Sequence, residues 1–173
     1  PIDKYRKVIE AAAKLLEYYP KSRWVDDTLL LMGIAYFRLQ DYSRAERKFT
    51  ELMTIYPNSG HVPEAVIWKA RTLVEQGKHD DATKLLTETA PSLKNRHHRG
   101  QVEFLLAKTE FDQKHWDEAA THFKLALDLL PASEDRFEAI YRYGLSEFER
   151  KQFKDAADAF SEVARQTRNG ARA

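Results

Sequence analysis

The sequence predicts an all-α fold, a right-handed α-solenoid of antiparallel helix hairpins, and three observations carry the prediction. A small residue recurs every 37 positions, at Ala45, Ala82, Ala119 and Ala156, with Val8 one step earlier. Around it the same register holds an aromatic or histidine (Tyr5, Tyr42, His79, Trp116, Phe153) and, four places on, Phe49, Leu86, Phe123 and Phe160, with Ala12 in the first copy. A second small residue repeats upstream, at Gly33, Ala70, Ala107 and Gly144. Close approach of two helices needs a small residue opposite a large one. A lone hairpin cannot bury both apolar faces, so successive units stack and share a core.

Taken in order, Ile2 to Tyr19 reads as a second helix only, so the chain starts half-way through a unit. The expected domain is one solenoid over residues 1–173, with a half repeat at 1–20 and repeats at about 21–57, 61–94, 99–131 and 134–168. Pro20, Pro57 and Pro131 stop second helices, because proline cannot continue a hydrogen-bonded helix interior. Ser22, Ser59 and Ser133, each two residues on, help start the next helix, and Asp or Ser in the turns caps the second one. The unit from His61 to Ala90 is the least regular, since Pro91 arrives early. Its second helix is expected to be short, about His79 to Thr89, followed by a long loop from Pro91 to Arg99. In the next unit Glu110 replaces the aromatic of Tyr36, and Phe111 is expected to take over its packing. The last unit runs from Glu134 to Arg168, and Asn169 to Ala173 are expected to fray.

Composition bounds the function. Of 173 residues, 43% are hydrophobic and 32% charged, which fits a folded chain and not a disordered one. A net charge of +1 supplies no bulk field for nucleic acid or an anionic membrane. No apolar run approaches the roughly 20 residues that span a bilayer. There is no cysteine, hence no disulfide and no thiolate metal site in this span.

Asp26 to Pro57 is the best-preserved unit. Leu29 and Met32 stand at the Trp and Leu positions of the pattern W-x2-L-G-x2-Y…A-x3-F…P, and Gly33, Tyr36, Ala45, Phe49 and Pro57 match it by identity. On these residues the chain resembles the tetratricopeptide repeat family over nearly its whole length. The segments YPKSRWVDD and YPNSGHVPEA, with the 37-residue spacing, resemble bacterial cell-envelope repeats of two types. These are the outer-membrane assembly lipoprotein BamD and the Tol–Pal-associated periplasmic protein CpoB. The resemblance implies a non-catalytic scaffold for a protein or peptide partner, without cofactor. It also implies an upstream signal sequence and, for the lipoprotein type, a lipid anchor before Pro1. The compartment expected is the periplasm or the periplasmic face of the outer membrane, with a cytoplasmic regulatory or assembly module as the alternative.

In this family the first helices line the binding groove. The corresponding positions here include Phe37 and Arg38, then Arg71 and Val74, then Lys108 and Phe111, and last Tyr141 and Phe148. The Lys and Asn clamp of the chaperone-tail branch is missing, and the mix of aromatics with Arg71 and Lys108 suits an apolar, partly acidic segment. The basic run Lys94 to Arg99 supplies a candidate loop contact at Arg96, His97, His98 and Arg99. Nucleic acid is not an expected partner, since it requires this run to join Arg165, Arg168 and Arg172 on one face. Exposed end helices can stack on another copy. No catalytic constellation is present: no Gly-rich phosphate loop, nucleophile elbow or H-E-x-x-H. The histidines read as turn and loop residues; His115 and His122 are seven apart, but His115 lies in the turn before the helix that carries His122, so a shared metal is not expected. Carboxylate pairs at Asp26–Asp27, Asp80–Asp81 and Asp117–Glu118 read as helix-start charges that complement the dipole.

Overall fold

The structure, a computed structural model, describes residues 2–170, with side chains through residue 168. Among the described residues all regular secondary structure is helical, and the chain divides into two compact units, Pro1–Thr89 and Ala90–Ala173. In the first unit α1 (Ile2–Tyr18) packs on α2 (Val25–Arg38), α2 on α3 (Tyr42–Ile55), α3 on α4 (Val62–Glu75) and α4 on α5 (His79–Thr89). The second holds a 3-10 turn (Ala90–Ser92), then α6 (Arg96–Asp112), α7 (Trp116–Leu129), α8 (Glu134–Glu149) and α9 (Phe153–Gly170). In each unit alternate first helices also touch, α2 with α4 and α6 with α8. Of the tail expected to fray, 169 and 170 close α9 and 171–173 lie outside the described residues, as does Arg172.

The cores follow the 37-residue register. Ala45, Phe49, Ala82, Leu86, Ala119 and Phe123 are fully buried. Small residues bring the helices close: a methyl on Gly33 would stand 2.4 Å from the Phe49 ring. Prolines act as read, with α1, α3 and α7 each ending two residues before one.

The turn inside every hairpin is one motif. Gln40, Gly77, Lys114 and Lys151, each 37 residues apart, take positive φ of 60°, 72°, 64° and 62°. Each donates its N–H three residues back, as Gln40 does to Phe37 at 2.9 Å, and the next residue donates five back, as Asp41 does to Tyr36 at 3.0 Å. This Schellman pairing satisfies carbonyls that the helix end orphans. In three of the four turns an aromatic step sits over it: Phe37 on Tyr42, Phe111 on Trp116 and Phe148 on Phe153, with centroids 5.5, 5.2 and 5.7 Å apart. Phe111 also meets the core ring of Phe123 edge-on at 6.2 Å, in line with the packing expected of it beside Glu110. It occupies the register position of Phe37, while Glu110 turns to His115 Nδ1 at 2.7 Å.

Helix starts depart from the sequence reading in instructive ways. Asp41 caps α3 by accepting the Arg44 N–H at 3.2 Å, and Ser133 caps α8 through Arg136 at 3.2 Å. Ser22 and Ser59 instead accept N–H groups of Trp24 and His61 just ahead of the helix. Ser59 also donates to Asp26 at 2.6 Å, and His61 meets Asp27 at 2.8 Å, so this carboxylate pair ties the start of α2 to the turn before α4. The expected loop from Pro91 to Arg99 is mostly helical. Asn95 accepts N–H bonds from His97 and His98 at 2.8 and 3.2 Å, and that cap starts α6 at Arg96.

A candidate protein-binding surface

On the first unit, α2 and α4 present a face centred on Trp68. Phe37, near the end of α2, meets the half-buried indole edge-on with centroids 5.2 Å apart. Arg38, beside it, and Arg71, one turn along α4, each hold their guanidinium carbon 5.6 Å from the ring centroid. The indole N–H donates to Glu64 at 3.4 Å. Three and four residues apart on one helix, Trp68, Arg71 and Glu64 share a side. Each cation–ring contact contributes about 0.5–1 kcal/mol at an exposed site, which orients the arginines without removing them from water.

Beyond Arg38 the same unit opens into a cleft of about 590 Å³ between α1 and the α2–α3 turn. Ile2, Ile9, Tyr36 and Leu39 line it with Arg6, Arg38 and Arg44, against two carboxylates, Glu10 and Asp41. Arg44 pairs with Asp41 at 3.1 Å and lies 5.4 Å over the Tyr36 ring. An apolar floor under a cationic rim suits an acidic segment that also carries large apolar side chains.

The second unit builds the same step with different chemistry. Arg142, two register steps from Trp68, lies 5.0 Å over Phe111, and carboxylates of Glu138 and Asp112 hold it at 2.7 and 3.5 Å. The other candidates have varied places. Val74 is in the core with Leu73 and Ala82, while Lys108 is half-buried on α6 and Tyr141 and Phe148 are exposed on α8. Arg96, His97, His98 and Arg99 form the first turn of α6 and not a loop. The Arg96 guanidinium donates to the Asp128 carbonyl, and Arg136 donates to those of Leu127 and Leu130, so two arginines close the C-terminus of α7. Trp68 and Arg142 were missed, because each lies one place past the groove position read from the repeat. Their signal was the aromatic 31 residues earlier in register, Phe37 and Phe111.

The titratable groups serve packing. His122 lies within α7, the helix expected to carry it, and faces Glu103 of α6 at 2.8 Å. That hydrogen bond raises its pKa against the opposing effect of burial, with Glu110 and Glu118 adding to the rise. The hydrogen bond from Ser59 holds Asp26 below the ordinary carboxylate value. Buried Glu147 pairs with Arg150 at 2.7 Å, and Arg150 reaches Asp117 of α7 at 2.6 Å. Among the described residues no group of three or more His, Asp or Glu is placed to hold a metal ion, and no helix is long and apolar enough to cross a membrane.

Comparison with known proteins agrees with this architecture. MamA from Desulfovibrio magneticus RS-1 superposes with a TM-score of 0.70 at 22% identity, over 97% of this chain and 96% of that one. BtubC from P. vanneervenii gives 0.81 at 16% identity, over 96% and 75%. At such identities the likeness is one of fold. No curated protein matches the sequence. One family model of the tetratricopeptide repeat matches residues 27–59 and another matches 104–171. Together these matches take in more than half of the residues, in the register that the cores, turns and close glycine contacts share, and the chain belongs to the tetratricopeptide repeat family.

Proposed function

We propose that this protein is a non-catalytic interaction scaffold whose Trp68 face holds an acidic, partly apolar segment of a partner protein. The observation that carries the reading is the half-buried indole set between Phe37 and two guanidiniums, beside a cleft with a cationic rim. Tryptophan and arginine dominate interface energetics because they combine large contact area with directed polar groups. Helices fixed by a shared core present these groups already ordered, which lowers the entropy lost on binding. We place this role in the bacterial cell envelope, at the periplasmic face of the outer membrane. The support is the likeness of YPKSRWVDD and YPNSGHVPEA to envelope repeats.

The test is affinity capture from the source cells with wild-type protein, Trp68→Ala and the pair Arg38→Glu/Arg71→Glu. A partner bound by the wild type is lost by both variants, while helical circular dichroism is retained. Equal capture by all three overturns the assignment of the face. Fractionation of the source cells tests the compartment, and recovery in the cytoplasm alone overturns the envelope placement.

A further inference from the structure

The charges on the Trp68 face stand in an order. Along α4, Glu64, Trp68, Arg71 and Glu75 follow one another at steps of four, three and four residues, so they share one side of the helix. At about 1.5 Å of rise per residue, Glu64 lies about 6 Å before Trp68 and Arg71 about 4.5 Å after it. Arg38 joins Arg71 at the ring from α2, each guanidinium carbon 5.6 Å from the centroid, while the Glu64 carboxylate accepts the indole N–H at 3.4 Å. Asp27, at the start of α2, is already paired with His61 at 2.8 Å. Arg38 and Glu64 keep their contacts with the indole but, among the described residues, neither is in an ion pair. The face thus runs from a carboxylate, over the aromatic step of Trp68 and Phe37, to two guanidiniums, and Glu75 closes the cationic stretch.

We infer that the segment held here is an amphipathic helix antiparallel to α4, with an acidic residue, a large apolar residue and a lysine or arginine at i, i+3 and i+7; the inference rests on the role proposed above for the Trp68 face. Spacing selects the helix. From Arg71 back to Glu64 the contact points lie about 4.5 and then about 6 Å apart, the rise of three and four helical residues, so one stripe of a helix meets all three. An extended segment sets its same-side residues about 6.7 Å apart and covers about 13 Å with three of them, against about 10.5 Å here. Among the described residues there is also no strand whose edge such a segment could join. Charge selects the direction. The ligand's acid belongs on Arg38 and Arg71 and its base on Glu64. In an antiparallel helix the acid then stands toward the N-terminus and the base toward the C-terminus, where the macrodipole favours them, and the reverse direction opposes both. Glu75 fixes the register, since a ligand shifted one turn toward it sets carboxylate against carboxylate.

The probe is a fluorescein-labelled, alanine-based peptide helix of about 18 residues with Glu, Phe and Lys at i, i+3 and i+7, titrated with the full chain by fluorescence anisotropy. It binds, while a peptide with its Glu and Lys exchanged, and one with proline between Glu and Phe, each bind at least about tenfold more weakly. Glu64→Lys, with unchanged circular dichroism, weakens binding of the first peptide about tenfold and prefers a peptide with Glu at i+7. No binding of the first peptide up to about 1 mM, or equal binding of the exchanged or the proline peptide, overturns the inference. Equal binding that Trp68→Ala still abolishes leaves the proposed face standing without this ligand. Binding that survives Trp68→Ala removes the face and the helix together.

Discussion

Replacing Gly33 by alanine adds one methyl against a ring that has nowhere to go. The new carbon would lie 2.4 Å from Phe49 Cε1 and 2.8 Å from Cδ1 and Cζ, so the ring must retreat by about 1 Å to reach ordinary contact. Phe49 is fully buried, and overpacking of a closed core costs about 1–3 kcal/mol. Alanine's better helix propensity returns up to about 1 kcal/mol, which leaves a net loss of up to about 2 kcal/mol. Gly144 is the control. A methyl there would lie 2.9 Å from Phe160 Cε1 and 3.1 Å from Ala159 Cβ; the partly exposed Phe160 ring can swing outward, and buried Ala159 has to give only a few tenths of an ångström. For Gly144→Ala the two effects nearly cancel, within about 0.5 kcal/mol. Urea unfolding followed by far-ultraviolet circular dichroism reads both changes as shifts in midpoint at constant slope. Equal effects of the two substitutions, or a stabilised Gly33→Ala, would refute the role assigned to close approach.

Two further outcomes follow from named groups. Lys114 holds a positive φ of 64° that favours glycine, so Lys114→Gly raises stability by about 0.5–1 kcal/mol, while Gly77→Ala at φ 72° lowers it by about 1 kcal/mol; thermal melts showing the reverse order would remove strain from the turns. His122 has a folded pKa raised chiefly by its hydrogen bond to Glu103, so the stability that its protonation contributes is complete below its unfolded value of about 6.5 and is lost as pH rises through the higher folded value. Melting wild type and His122→Gln between pH 5 and about 8.5 therefore shows a gap in favour of wild type that narrows with rising pH, and a gap independent of pH would contradict the assignment.

What the sequence revealed, and what it hid, divides along a physical line. Packing between helices is written in residue size at fixed spacing, so Gly33 opposite Phe49, and the 37-residue recurrence of both positions, could be read directly. The turns were less legible. Only Gly77 carries the signature of a left-handed residue, and Gln40, Lys114 and Lys151 adopt the same conformation because the flanking helices impose it. The start of α6 is hidden because the charges of Arg96 to Arg99 have the look of a solvated loop, while the determining residue is the side-chain acceptor Asn95. Trp68 and Arg142 depend on how far one hairpin is offset from the next, a geometry that no local pattern states. His122 and Glu103, 19 residues apart, became a pair for the same reason.

The left-handed turn has a consequence for how such a chain is made. At Gln40, Gly77, Lys114 and Lys151 the flanking helices set the bend, and a side chain other than glycine there costs only about 1 kcal/mol. A recombination event that duplicates or deletes a 37-residue block therefore delivers a working elbow wherever within the repeat it cuts. Mutation is then free to alter the faces, as with Trp68 in one copy and Arg142 in another, without renegotiating the joint between the helices that carry them.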